Sequence, residues 1–342
     1  SWLLEPQSTN LITESEDFSD SYWTSQAVSV TDNATTSPEG LQNASKLIPN
    51  SGTGGNRSLG KSFTGLSGIH TFSTFAKAGE YGYVSLRLRN TPSAFVMFDL
   101  NDGSIHNINS PAQYVTGSAK IEDYGNGWYR CSASFDPSGS GSVGDLFISL
   151  SVGITGDESG QWNGDGVSGI YIWGAMFEQQ SYITSYIPTN GAASTRLQDI
   201  ANNSGNATLI NSTEGVLYAE IAALANDGTF RGFTISANGN SSNRVTITIN
   251  STANSIRANV KSNNATSFDE SYNSVDVLSD TKIAMKYAQD NFALFINGVK
   301  RFSDTSGNTP VGLDVLNFNA GSTALPFHGK VKALVVYKEA LT

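Results

Sequence analysis

Asn291-Phe292-Ala293-Leu294-Phe295-Ile296-Asn297-Gly298-Val299-Lys300-Arg301-Phe302 is the stretch whose reading decides the fold. Two apolar-rich runs flank Asn297-Gly298. A two-residue hairpin turn of type I′ needs φ > 0 at both central residues, which Asn-Gly tolerates. The stretch therefore predicts two antiparallel strands. The run 282–287 just upstream adds a third, giving a meander. Working outward, period-2 runs recur at 69–76, 83–88, 94–100, 128–135, 146–152, 169–177, 215–222, 230–236, 244–249, 255–260 and 330–337. Clusters of Gly, Asn, Asp and Ser separate them, and no long segment holds a helical period. Short strands punctuated by turns predict an all-β chain of two tandem β-sandwich, or jelly-roll, modules.

A length of 342 residues suggests about two domains, each large enough for its own core. The polar, Asn- and Gly-punctuated stretch from Arg196 onward is the expected boundary. The expected layout is an arm over 1–24, a first module over 25–196, a linker over 197–204 and a second module over 205–342. Charged residues make up only 15%, against about 25% in ordinary domains. Ser, Thr, Asn and 34 Gly supply the polarity instead. A net charge of −10 repels a phosphate backbone, so nucleic acid is not an expected partner. Arg87–Arg89 and Lys300–Arg301 read as solvated strand edges. No run of about 18 apolar residues occurs, so no membrane-spanning helix is expected. The start, Ser1-Trp2-Leu3-Leu4-Glu5-Pro6, lacks the basic and long apolar regions of a signal peptide and an initiator Met. The expectation is a fragment or processed form of a longer protein. The single cysteine, Cys131, shares a strand face with Tyr129, Ala133 and Phe135 and is expected to be a buried, inert thiol.

Two groups of residues carry a resemblance. The first is 3–11 (LLEPQSTNL) with Ser15-Glu16-Asp17-Phe18, Gly125-Asn126-Gly127-Trp128-Tyr129-Arg130, 169–175 (GIYIWGA) and Thr184-Ser185-Tyr186-Ile187-Pro188-Thr189. It resembles a module of bacteriophage tail-fibre and head-fibre proteins, also appended to some bacterial surface and polysaccharide-active proteins. The fold this implies is a carbohydrate-binding-module-like β-sandwich. The second group is 282–287 (KIAMKY), 292–299 (FALFINGV), Leu316-Asn317-Phe318, 326–332 (PFHGKVK) and 336–342 (VYKEALT). It resembles a laminin-G or concanavalin-A-like jelly roll of the kind seen near phage fibre tips. The resemblance implies a non-catalytic adhesion protein in a virion or outside the cell. Its implied partners are surface polysaccharide and other fibre subunits, in a homo-oligomer. A fold does not give a ligand. A structural decoration without a ligand, and the binding part of a secreted polysaccharide-degrading enzyme, stay open as alternatives.

The three histidines, His70, His106 and His328, sit in no nucleophile-elbow context and read as strand-end or surface residues. Glycoside hydrolysis needs two facing carboxylates. Glu122-Asp123 and Asp157-Glu158 are adjacent pairs, which point to opposite faces if extended, and Glu178 follows an apolar strand alone. No enzyme is expected. Calcium takes six to eight oxygens. The loop 156–166 (GDESGQWNGDG) offers Asp157, Asn163 and Asp165, so calcium and a plain solvated loop both stand as readings. Sugar binding needs an aromatic face with polar neighbours. Alternation over 128–135 turns Trp128 and Arg130 away from the core, where they make either a sugar platform or a Trp packed under a loop. Trp162 in the acidic loop has the same standing, whereas Trp173, on a strand apolar on both faces, is expected in the core. In the second module Arg231, Asn243 and Tyr272 are exposed-type candidates. N-x-S/T sequons occur at Asn33, Asn43, Asn56, Asn202, Asn206, Asn211, Asn240, Asn250 and Asn264. In so Asn/Ser/Thr-rich a chain they read as chance.

Overall fold

A computed structural model describes residues 1–52, 56–89, 94–109, 113–140, 144–151, 163–320 and 325–341. Among these residues the chain is strand and turn, with a single 3₁₀ turn, Pro137–Ser140, and no α-helix. It divides into two compact units, Gln7–Leu197 and a second made of Ser1–Pro6 with Gln198–Thr342. The first six residues, expected in an arm of the first module, thus belong with the C-terminal unit. Strand Trp2–Leu4 pairs antiparallel with Gly329–Tyr337, and Leu4 packs against that unit's core.

The Gln7–Leu197 unit is a sandwich of two antiparallel six-stranded sheets. One runs in the order Ser104–Asn109, Ala94–Asp99, Tyr83–Arg89, Gly144–Ser151, Ser58–Phe63, Thr24–Gln26. The other runs Lys120–Asp123, Trp128–Phe135, His70–Lys77, Ile170–Glu178, Ala44–Pro49, Val28–Thr35. Alternate residues fill the space between them, Leu86, Val96, Phe98, Ile148, Phe72 and Phe135 among them. Each such side chain contributes about 1.5–3 kcal/mol when fully buried. Cys131 lies in this core, where burial pushes its thiol pKa up.

The C-terminal unit pairs a six-stranded sheet with a five-stranded one. The former runs Trp2–Leu4, Gly329–Tyr337, Glu214–Ala223, Thr281–Ala288, Phe292–Ile296, Val299–Asp304. The latter runs Ala265–Tyr272, Ile256–Ser262, Arg244–Ile249, Arg231–Ser236, Val315–Asn317. Leu217, Ile283, Leu294, Phe233, Ile247 and Val260 meet between them. The expected meander is present, with Asn297 at φ 51° and Gly298 at φ 78° in the turn. This is the jelly-roll architecture that the strand pattern predicted.

Candidate functional site

The sequence candidates of the first unit do not form an open platform. Trp128 and Arg130 do point away from the sandwich core, but a second layer covers them. Trp128 is 2% exposed, clusters with Ala44, Phe75 and Trp173, and donates from Nε1 to the Thr36 carbonyl at 3.0 Å. Trp173 is buried as expected, though in this outer cluster and not between the sheets. Tyr186 packs against Trp173 at 4.9 Å between ring centroids. Arg130 is buried too. It donates to the Thr184 carbonyl at 2.7 Å and to Ser73 Oγ at 3.1 Å. Beside it Glu178 accepts from Ser8 Oγ (2.6 Å), Thr184 N (2.8 Å) and Thr184 Oγ1 (2.7 Å). The motifs behind the first resemblance therefore meet in one seal over the sheet's outer face. Glu178 is closed to solvent there, and burial raises its pKa over the pull of its hydrogen bonds and of Arg130.

Trp162 and Asp157 lie outside the described residues. Asn163 is exposed. Asp165 is spent on its own turn: its oxygens accept from Val167 N, Ser168 N and Ser168 Oγ at 2.9, 2.8 and 2.6 Å. These bonds hold its carboxyl at about 2. No group of three or more His, Cys, Asp or Glu side chains that could hold a metal occurs among the described residues. His70 begins its strand as expected but is buried, stacked on Phe177 at 5.0 Å.

In the C-terminal unit Arg231 is 4% exposed, a correction to its expected exposure. Register places it opposite Ile249, on the core side of the strand. Its guanidinium turns to the preceding loop, where Nη2 donates to both Asp227 oxygens at 2.9 Å. The Tyr272 ring lies under the Arg301 guanidinium, 4.4 Å from its centroid, and packs against the core. Asn243 closes a turn, accepting from Asn263 N and Val311 N.

What the fold does bring together is the outer face of the five-stranded sheet. On Arg244–Ile249 the apolar Val245, Ile247 and Ile249 point inward, so Arg244, Thr246 and Thr248 point outward. On Ile256–Ser262 the same alternation turns Arg257, Asn259 and Lys261 outward. Register sets Arg244 opposite Lys261, Thr246 opposite Asn259 and Thr248 opposite Arg257. Thr234 and Ser236 extend the face on one side and Asp269 on the other. Like pairs such as Thr234–Thr246, with Oγ1 atoms 3.0 Å apart, are a favourable cross-strand arrangement.

The centre of this face is a buried floor of Thr234, Ser236, Thr246 and Asn259. Ser236 Oγ has no hydrogen-bond partner among the described residues. Along the rim, Arg257 meets Asp269 as a planar bidentate pair, Nε to Oδ1 and Nη2 to Oδ2, both at 2.6 Å. The pairing raises the Arg257 pKa, yet the two side chains keep 39% and 35% of their exposure. Arg244 donates from Nε and Nη2 to Asn259 Oδ1 at 3.3 and 3.2 Å and from Nη1 to the Ala320 carbonyl at 2.9 Å. Burial, and then the charge of Arg257, lower its pKa. The corresponding outward face of the first unit, across Ser58, Ser149, Ser85 and Met97, is under a tenth exposed at each of those residues. Exposed charge also lies on the first unit's outward face, where Arg89 and Asp145 approach to 3.5 Å, and in the six-stranded sheet of the C-terminal unit, where Lys332 meets Glu220 and Asp280. The five-stranded face differs in carrying a bidentate pair with both bonds at 2.6 Å. Its sequence signal was Arg-x-Thr-x-Thr followed by Arg-x-Asn-x-Lys, two polar ladders at period 2 in successive strands.

No family model and no curated protein matches the chain. Among solved structures, the chain is similar to the CBM40 module of an IT-sialidase from Ruminococcus gnavus. That match is 15% identical over 42% of this chain and 90% of that one, with a TM-score of 0.34. It is also similar to domains LG4-5 of the mouse laminin alpha1 chain, at 10% identity over 82% and 86% and a TM-score of 0.28. Sheep galectin-11 matches at 7% identity over 40% and 99%, also with a TM-score of 0.28. At such values nothing about ligands passes from those proteins to this one.

Proposed function

We propose that the chain is a non-catalytic glycan-recognition protein whose saccharide lies on the outer face of the five-stranded sheet. The observation that carries this is the Arg257–Asp269 pair. Each sugar hydroxyl is both donor and acceptor, and a guanidinium aligned with a carboxylate presents donors and acceptors in one plane. An exposed ion pair adds only about 0–1 kcal/mol to stability, so the fold has little need of this one. Thr248 and Asn259 stand beside it on the same face, and Arg244 closes the far side. Among the described residues the carboxylates weighed for hydrolysis do not face each other: Glu178 is sealed, and Glu122 and Asp123 are neighbours on one strand.

A single shallow contact of this kind binds weakly. Copies linked in an oligomer gain about 10²–10⁴ in avidity without any new contact. The setting we propose, on the resemblance of its motifs, is a bacteriophage fibre that touches a host surface. The test is a glycan-array and host-polysaccharide screen of the 342-residue protein, presented multivalently, with Arg257→Ala and Asp269→Ala beside it. Each variant is expected to lose at least about tenfold in binding, worth about 1.4 kcal/mol, with its unfolding midpoint unmoved. Binding that survives both substitutions would sink the assignment.

A further inference from the structure

We infer that the saccharide held on the five-stranded face carries an anionic group, a carboxylate or a sulfate ester, set against Arg244. The inference rests on the glycan reading and adds the ligand's charge. It starts from how the arginines of this unit are matched. Arg231 has both Asp227 oxygens at 2.9 Å, and Arg257 has both Asp269 oxygens at 2.6 Å. Arg244 is half-buried on the outer face, and the acceptors it meets among the described residues are neutral: the Asn259 amide oxygen and the Ala320 carbonyl. Lys261 stands opposite Arg244 on the next strand, and Asp269 is already taken by Arg257.

A cation held partly out of water without a carboxylate is costly. Here a second cation adds to the cost, since the charge of Arg257 acts on Arg244 in the same unfavourable direction as its burial, and the charge of Asp269, engaged by Arg257, offsets it only in smaller part. Such an arrangement is relieved by one anion. The hydrogen bonds of Arg244 use one N–H each from Nε, Nη1 and Nη2. Among the described residues no acceptor meets the second hydrogens of Nη1 and Nη2, which suit the paired oxygens that a carboxylate or a sulfate presents and a neutral hydroxyl does not. The chain as a whole carries −10, so its net field repels polyanions. A preference for acidic sugars then reports this face and not the net field.

The experiment titrates the full chain by calorimetry in about 0.15 M salt, where the Debye length is about 8 Å. The ligands are an oligogalacturonate, its carboxyl-reduced neutral form, a sulfated dextran oligomer and the parent dextran. At least one acidic ligand is expected to bind about tenfold or more tightly than its neutral partner, and the two pairs tell carboxylate from sulfate. Arg244→Gln is expected to abolish the preference, bringing that acidic ligand to the affinity the same variant shows for its neutral partner. Lys261→Gln, which leaves the Arg244 hydrogen bonds in place, is expected to shrink the preference. Equal binding of acidic and neutral partners, or a preference that survives Arg244→Gln in a folded protein, overturns the anionic assignment alone. Binding of none of the four overturns it together with the glycan reading.

Discussion

Replacing Trp128 with Ala separates the packing role that the structure gives this residue from the sugar platform that its sequence context suggests. The side chain is 2% exposed, so almost the whole of a tryptophan's roughly 150–250 Å² is out of water. At about 25 cal/mol per Å² that is about 4–6 kcal/mol as an upper bound. Measured truncations of buried Phe and Trp run about 3–5 kcal/mol. The Nε1 bond to the Thr36 carbonyl adds about 1 kcal/mol and leaves that carbonyl to find water. The expected loss is therefore about 4 kcal/mol, confined to the Gln7–Leu197 unit. Urea unfolding of the intact chain, followed by circular dichroism, reads it as an earlier transition for that unit with the other unmoved. Glycan affinity of the remaining folded protein should not change. A variant whose unfolding stays within about 0.5 kcal/mol of the parent, while sugar binding disappears, would refute the packing argument and restore Trp128 as a contact residue.

Two further outcomes follow from the same geometry. Glu178 has a folded pKa raised above its ordinary 4.5, with burial the largest cause. In the window above 4.5 the folded chain therefore holds more protons than the unfolded one. The group's contribution is greatest below the unfolded pKa and is lost as pH rises through the folded one. Glu178→Gln should cost about 1–3 kcal/mol, through donors left without a partner, and should flatten the fall of stability from pH 4.5 to 7. Urea midpoints across that range that keep the parent slope would show that Glu178 does not titrate there. Gly298 sits at φ 78° with no atom within 4 Å of an added Cβ. Gly298→Ala should therefore cost about 1–2 kcal/mol from backbone conformation alone. A loss well beyond about 3 kcal/mol would mean that the turn makes contacts this geometry lacks.

Period-2 alternation read the strands well where one face is apolar. Arg244–Ile249 and Trp128–Phe135 lie where the pattern put them. It passed over Val28–Thr35 and Ala265–Tyr272, which are edge strands rich in Thr, Asp and Ser. Their ladders are satisfied by the neighbouring strand and not by a buried stripe, so composition gives little sign of them. The strand Trp2–Leu4 was illegible for another reason, because its partners lie more than 300 residues away.

The site errors have one physical origin. Alternation says which side of a sheet a residue faces and says nothing about what lies on that side. Trp128 and Arg130 do face away from the core, but Thr36 and Thr184 reach over them from 92 and 54 residues away. Arg231 has the opposite history: as the first residue of a strand, on the core side by register, it was free to turn back onto Asp227. Aromatic residues drew attention because a sugar ring stacks on them, yet in this fold the large aromatics are the best material for sealing a sheet face, and Trp128, Trp173 and Tyr186 are used for that. Thr, Asn and paired Arg and Asp are poor sealing material, since each needs a polar partner wherever it is buried. A face built from Thr234, Thr246, Asn259, Arg244, Arg257 and Asp269 is therefore costly to maintain as packing. The neutral acceptors of Arg244 among the described residues and the exposed Arg257–Asp269 pair are what make it the more informative surface.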